Sequence, residues 1–214
     1  PADVAIGGAY AYVSSNWTEG GGLSVVDLAD PCNPVIVGGL STSYAQGVTV
    51  ANGLVFFSAG GLYALDAADP MAIEIVGWSA GGGGGDDLVV DGGLIVGVSG
   101  WDESSGGFSI GDCSNPTSPE ALGEVAMPGG ARCAAVANGY AYVAFVGAGL
   151  QIIDGADPID PRIVGSVDTP GEALAVAVSG SHAFVADGAA GLQVVDIADP
   201  FAPAIVASLS TPCP

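Results

Sequence analysis

Apolar and polar positions alternate along this chain in short bursts separated by turn-forming residues. The clearest stretch lies near the end. Ala175 to Ser179 (AVAVS) is a β-rich run, and His182 to Ala186 (HAFVA) alternates bulky residues. Leu192 to Asp196 and Ala204 to Leu209 repeat the pattern. Gly180-Ser181, the loop Asp187 to Gly191 and the turn Ala198-Asp199-Pro200 separate these runs. A period of two bounded by Gly, Asp and Pro predicts four short strands in an antiparallel meander.

The same unit is written five times. Leu23–Gly38, Leu62–Gly77, Phe108–Gly123, Leu150–Gly165 and Leu192–Ala207 superpose without gaps. Their leading aspartates Asp27, Asp66, Asp112, Asp154 and Asp196 are spaced by 39, 46, 42 and 42 residues. A period in this range marks stacked supersecondary units. Asn52-Gly53 and Asn138-Gly139 sit at the first turn of their repeats, with Gly92-Gly93 in the third; such pairs tolerate positive φ. The third turn carries Asp30-Pro31, Asp69-Pro70, Asn115-Pro116, Asp157-Pro158 and Asp199-Pro200. The Asx side chain accepts nearby N–H groups, and proline stops the ladder. Asp27, Asp30, Asp66, Asp69, Asp112, Asp154, Asp157, Asp196 and Asp199 are therefore expected to be structural.

A four-stranded sheet cannot bury both of its faces alone, and radial stacking of copies hides them. The expected fold is all-β: one domain over residues 1–214, a five-bladed β-propeller of four-stranded antiparallel blades. Its repeats fall at approximately 1–45, 46–85, 86–130, 131–172 and 173–214. Val4 aligns with Val176, so five whole repeats are expected, beginning with an innermost strand and ending with an outermost one. No strand is then exchanged across the seam, and closure relies on packing or on a covalent or partner contact. The start at Pro1 rather than Met points to a trimmed mature form.

Charge narrows the partners. The chain carries 23 acidic residues against two arginines, Arg132 and Arg162, for a net charge of −21. Nucleic acid requires cations to replace phosphate counterions, and an anionic membrane repels such a surface. Half the residues are apolar, yet the apolar runs are strand-sized, which excludes membrane insertion by helices.

Candidate chemistry gathers at one end of the blades. Two loops between second and third strands are enlarged, Ser14 to Gly22 and Ser99 to Gly107. Trp17 stands beside Glu19, and Trp101 beside Asp102 and Glu103. The crossing Gly81 to Asp87 adds Asp86 and Asp87 on the same face. Indole beside carboxylate suits a sugar ring, and carboxylates with backbone carbonyls suit calcium. The plainer reading is that each Trp folds back over its own glycine-rich loop and the acids are solvated. No cofactor is otherwise implied. His182, the one histidine, lies beside a first turn, and no serine stands in a nucleophile elbow, so no enzyme is expected. Cys32, Cys113, Cys133 and Cys213 allow three pairing schemes without choosing one, and none forms a CxxC pair. Cys32 and Cys113 fall near third turns at one end of the blades and Cys133 and Cys213 toward the other, and thiol contacts between opposite ends of successive copies would build a filament.

The run GLQVVDIADPFAPAIVASLSTP, with AVAVSGSHAFVADGAAG upstream, resembles the LVIVD repeat of bacterial and archaeal secreted and cell-surface proteins. The likeness covers nearly the whole chain and is weakest in the third copy, where Gly111-Asp112-Cys113-Ser114-Asn115 replaces VDxxDP. It implies a propeller and an extracellular or cell-surface setting, but no reaction. The expected role is a non-catalytic structural or assembly module, a head-to-tail self-associating subunit whose partner is itself or another surface protein or glycan. The alternative is adhesion to a protein, a glycan or calcium through the Trp and acid loops.

Overall fold

The computed structural model describes residues 2–16, 21–42, 44–81, 84–102, 105–127 and 130–211. Twenty strands form five separate four-stranded sheets, each joined in consecutive order. The first blade holds β1 (Val4–Gly7), β2 (Tyr10–Ser15), β3 (Gly22–Asp27) and β4 (Val35–Ser41). The second holds β5 (Val48–Ala51), β6 (Leu54–Ser58), β7 (Leu62–Asp66) and β8 (Glu74–Ser79). The third holds β9 (Asp87–Asp91), β10 (Leu94–Asp102), β11 (Ser105–Asp112) and β12 (Glu120–Met127). The fourth holds β13 (Ala131–Ala137), β14 (Tyr140–Phe145), β15 (Gly149–Asp154) and β16 (Arg162–Val167). The fifth holds β17 (Ala175–Ser179), β18 (His182–Ala186), β19 (Leu192–Asp196) and β20 (Ala204–Leu209). These are the five four-stranded antiparallel blades that the repeat predicts.

The first turns show why Asn-Gly recurs. Asn52 and Gly53 have φ of 53° and 79°, and Asn138 and Gly139 have 54° and 81°. Both central residues are left-handed, as a two-residue type I′ hairpin requires. Gly8, Gly92 and Gly180 are left-handed only at the first central position. Gly92-Gly93 thus uses one of its two glycines for this purpose. A 3-10 turn, Gly188–Ala190, occupies the loop before β19. The stretch Ser99 to Gly107 differs from the loop expected there: β10 and β11 run on through much of it as a lengthened hairpin. Once two strands lie side by side, their ladder can continue through Gly and Ser, because pairing satisfies the backbone whatever the side chain.

Two compact units arise by contact, Pro1–Gly97 with Ile110–Leu122, and Val98–Ser109 with Gly123–Pro214. In the first unit, Tyr12, Leu23 and Val25 of the first blade bury against Val48, Val55, Phe57 and Leu65 of the second. Phe56, Leu62 and Ala64 of the second blade bury against Leu88, Ile95 and Cys113 of the third. Adjacent residues on a strand face opposite ways, so Phe56 and Phe57 serve two different cores. Both are fully buried, which marks a sheet covered on each side. In the second unit, Tyr142, Leu150 and Ile152 of the fourth blade bury against Val176, Ala183, Val185 and Val195 of the fifth. Each fully buried large side chain contributes about 1.5–3 kcal/mol.

The outer strand is bulged at the same place in four blades. Register slips between Val25 and Val26, Ala64 and Leu65, Ile152 and Ile153, and Val194 and Val195. A bulge adds local twist and turns the outer strand. Opposite it stands glycine: Gly38 pairs with Val25, Gly77 with Ala64 and Gly165 with Ile152. A Cβ on Gly38 would lie 1.9 Å from the carbonyl oxygen of Pro70, one on Gly77 1.8 Å from that of Pro116, one on Gly123 2.5 Å from that of Pro158, and one on Gly165 2.1 Å from that of Pro200. Each glycine therefore admits the Asx-Pro turn of the next blade. These contacts are steric consequences of blade stacking, and only hydrogen fits them.

Candidate functional site

The Asx-Pro turns use their own carboxylates. The first aspartate of each motif accepts an N–H two residues on: Ala29 to Asp27 (2.8 Å), Ala68 to Asp66 (2.8 Å), Ser114 to Asp112 (2.8 Å), Ala156 to Asp154 (2.9 Å) and Ala198 to Asp196 (2.9 Å). The second does the same from Cys32 to Asp30 (3.0 Å), Met71 to Asp69 (3.0 Å), Ile159 to Asp157 (3.2 Å) and Phe201 to Asp199 (3.0 Å). Asn115 takes the N–H of Thr117 at 3.3 Å. The Asn33 amide and the Cys32 N–H hold Asp30 below the usual carboxylate range. The Ser114 hydroxyl and N–H do so for Asp112. Asp160 is likewise lowered by its ion pair with Arg162. The Asx side chains of the repeated motif, in contrast to Asp160, are committed as turn acceptors.

The residue following each proline projects from its turn. Met71 is 74% exposed, and Ile159 and Phe201 are also exposed, as is Cys32 in the first blade. Thr117 takes this position in the third blade. Four of five turns thus end in an apolar or thiol side chain offered to the surroundings. An exposed apolar tip is costly for solubility and useful for contact.

At the opposite end of the first unit, a polar network ties successive blades. The Asp3 carboxylate accepts the N–H of Val4 at 2.7 Å and of Val48 at 2.8 Å. The Ser14 hydroxyl accepts the Asp3 N–H at 3.0 Å and donates to the Gln46 carbonyl. The Gln46 amide donates to Asp86, and the Ser58 hydroxyl to the Gly85 carbonyl. Burial, offset in part by these N–H donors, pushes Asp3 above the usual carboxylate range, and the charge of Asp87 adds to the rise. In the second unit, buried Asp187 accepts the Thr169 hydroxyl at 2.6 Å and the Gly171 N–H at 3.0 Å. The Gln151 and Gln193 amides donate to the carbonyls of Ala148 and Ala190, closing equivalent loops in adjacent blades.

Asp86 is therefore engaged by Gln46, and Asp87 begins β9 beside Asp3. Trp17, Glu19 and Glu103 lie outside the described residues. Trp101 and Asp102 form the end of β10. Among the described residues, no group of three or more His, Cys, Asp or Glu is placed to hold a metal ion. His182 opens β18 half-buried, its Nδ1 3.3 Å from the Ser181 hydroxyl.

The cysteines occupy different surroundings. Cys32 is exposed on its turn. Cys113 is packed among Phe56, Leu62, Leu88 and Ile95, and burial pushes its thiol up, the Asp112 charge adding to the effect. A thiol held protonated in this way is a poor nucleophile. Cys133 is half-buried, its sulfur 3.8 Å from the Val176 carbonyl of the next blade. Cys213 lies outside the described residues.

Sequence reasoning passed over Asp3, Ser14, Gln46, Ser58, Thr169 and Asp187. A signal existed for two of them. Ser14, next to last in β2, and Ser58, last in β6, stand where the fourth and fifth blades carry Ala144 and Ala186. A hydroxyl at a position otherwise apolar points to a buried acceptor nearby.

Five meander blades, each built from one repeat, define a β-propeller. The LVIVD repeat profile matches residues 2–42, 128–169 and 170–211. The chain belongs to the LVIVD-repeat family. Similar solved structures share its fold at low identity. The computationally designed Ika8 protein superposes with a TM-score of 0.69 at 11% identity, over 96% of this chain and 60% of that one. A hypothetical selenium-binding protein from Sulfolobus tokodaii gives 0.68 at 10% identity, over 95% and 59%. A chain of a nidogen/laminin complex gives 0.60 at 11% identity, over 97% and 79%. This chain thus spans about three fifths of the length of the first two. No curated protein matches it. Among the described residues no helix is long and apolar enough to cross a membrane.

Proposed function

We propose that this chain is a non-catalytic propeller module of the cell exterior that works by contact, as a structural or assembly subunit. The observation that carries this reading is the recurrence of exposed apolar tips at Met71, Ile159 and Phe201. They stand on turns whose carboxylates are already committed to backbone N–H groups. A rigid turn bearing a free apolar side chain is suited to docking and supplies no acid, base or nucleophile. The family resemblance and the strongly acidic, lysine-free composition favour an extracellular setting. Its partner there is another surface macromolecule or a further copy of itself.

The test is a variant carrying Met71→Ser, Ile159→Ser and Phe201→Ser. All three positions are exposed, so its melting temperature should stay close to that of the parent. Retention on envelope preparations from the producing cells should fall at least about tenfold, the loss of roughly 1.4 kcal/mol expected for contact through three such side chains. Equal retention of parent and variant would refute the role assigned to the tips.

A further inference from the structure

One row of side chains departs from the repeat. Across the second to fourth strands of the first blade, Val13, Ser24 and Gly39 stand side by side. The same row reads Val143, Gln151 and Ser166 in the fourth blade, and Val185, Gln193 and Ser208 in the fifth. In the second blade it reads Phe57, Tyr63 and Trp78. Residues directly opposite on adjacent strands share a face, so the three rings lie together.

The rings are graded from core to surface. Phe57 is fully buried against the first blade, Tyr63 is half-buried at the rim of that core, and Trp78 is 53% exposed. Phe57 and Tyr63 stack with centroids 5.0 Å apart, and the Trp78 ring follows at 6.3 Å, tilted by 51°. Gly61 leaves the indole its place, since a Cβ there would lie 2.9 Å from Trp78 Nε1. In the fourth and fifth blades the middle residue of the row has a structural duty: the Gln151 and Gln193 amides tie down the preceding loop. In the second blade that loop closes on its own backbone, the Ala59 N–H donating to the Gly61 carbonyl at 2.9 Å. Loop closure therefore does not require the aromatic row. All of these second-blade residues, and the first blade that covers Phe57, lie within the first unit.

The hairpin of β7 and β8 that bears Trp78 is also acidic. Asp66 and Glu74 stand directly opposite one another, both exposed. The fourth blade sets Arg162 opposite Asp154, and the first and fifth set Val35 and Ala204 opposite Asp27 and Asp196. Like charges so placed destabilise a sheet. The second repeat, residues 46–85, holds Asp66, Asp69 and Glu74 and no Lys, Arg or His. An exposed indole face attracts a guanidinium or ammonium group, and carboxylates on the same hairpin draw such a group in.

We propose that this hairpin docks a basic segment of another protein, with an arginine or lysine side chain laid on Trp78. Charge chooses the occupant. The net charge of −21 draws in a cationic segment and repels an anionic one. A second copy of the chain fits poorly. It brings the same charge and two arginines, both in the fourth blade, of which Arg162 is already paired with Asp160. The inference rests on the contact reading above for its setting. It narrows the partner to a basic surface protein, at a place separate from the turn tips.

Fluorescence anisotropy of a labelled peptide of alternating arginine and glycine, titrated with the full chain, tests it. The parent should bind this peptide at least about tenfold more tightly than one with citrulline in place of arginine, which keeps the shape and removes the charge. Trp78→Leu changes an exposed residue, so it should fold as the parent does, and it should bind about fivefold more weakly. Trp78→Phe keeps a ring and should fall between the two. Glu74→Gln should weaken binding about twofold at low salt and have no effect at high salt. The variant carrying Met71→Ser, Ile159→Ser and Phe201→Ser should bind the peptide as the parent does, so the tips and this hairpin are scored separately. Equal affinity of parent and Trp78→Leu would overturn the inference, because net charge alone would then hold the peptide. So would a parent that does not bind the arginine peptide, or one whose Trp78 serves an uncharged oligosaccharide in its place.

Discussion

Asp3 and Asp30 show how one residue type is put to two opposite electrostatic uses. Asp30, exposed on its turn and fed by Asn33 and Cys32, is lowered and stabilises the fold when ionised. That contribution is present above the unfolded carboxylate range and is lost as pH falls through the lower folded value. Asp3 is raised by burial, so its folded form holds its proton more tightly than the unfolded chain does. Its contribution is fully present below the unfolded carboxylate range and is lost as pH rises through the raised folded value. Asp3→Asn should therefore flatten part of the pH dependence. The stability of the parent relative to Asp3→Asn, measured by urea unfolding, should increase as pH falls from the raised folded value toward the unfolded carboxylate range. A difference that is constant, or that shrinks on acidification, would contradict the placement of Asp3. Little of this was legible in sequence, because Asp3 meets Val48 across 45 residues and Gln46 meets Asp86 across 40. Turn carboxylates act on neighbours two residues away, and so the repeat displayed them openly.

At the scale of the element, local chemistry decides most boundaries. The fifth repeat folds with strands at Ala175–Ser179, His182–Ala186, Leu192–Asp196 and Ala204–Leu209, the runs set by its alternation and turn residues. Asn-Gly specifies its hairpin because both residues reach φ above 50°. Gly53→Ala places a side chain at φ 79° in open space, so backbone strain is its whole effect. A loss of about 1 kcal/mol in equilibrium unfolding is expected. No loss would mean the hairpin is not left-handed there. The hairpin of β10 and β11 was not legible. Its Gly, Ser and acidic residues have low strand propensity, and the partner strand that holds them is invisible to composition. The bulge glycines were visible as a repeated letter, but their reason lies in the next blade.

For the molecule as a whole, stability is a sum of blade-on-blade contacts within each unit. Sheets buried on both sides draw little from their own turns and much from their neighbours, as in other arrays of repeats. The charge of −21 acts over longer distances and governs solubility and approach rather than fold. The repeat made the number and type of blades legible. Which core each face enters was not, because Phe56 and Phe57 are one residue type in sequence and only their surroundings differ.

Blade stacking is tested most directly by equilibrium unfolding of Gly77→Ala beside Gly81→Ala. The added methyl at Gly77 would meet the Pro116 carbonyl of the next blade, whereas at Gly81 it meets only the Ala121 side chain at 3.8 Å. Gly77→Ala should cost about 1–3 kcal/mol by overpacking, with Gly81→Ala within about 0.5 kcal/mol of the parent. Equal and small effects at the two positions would show that the second and third blades do not pack as described.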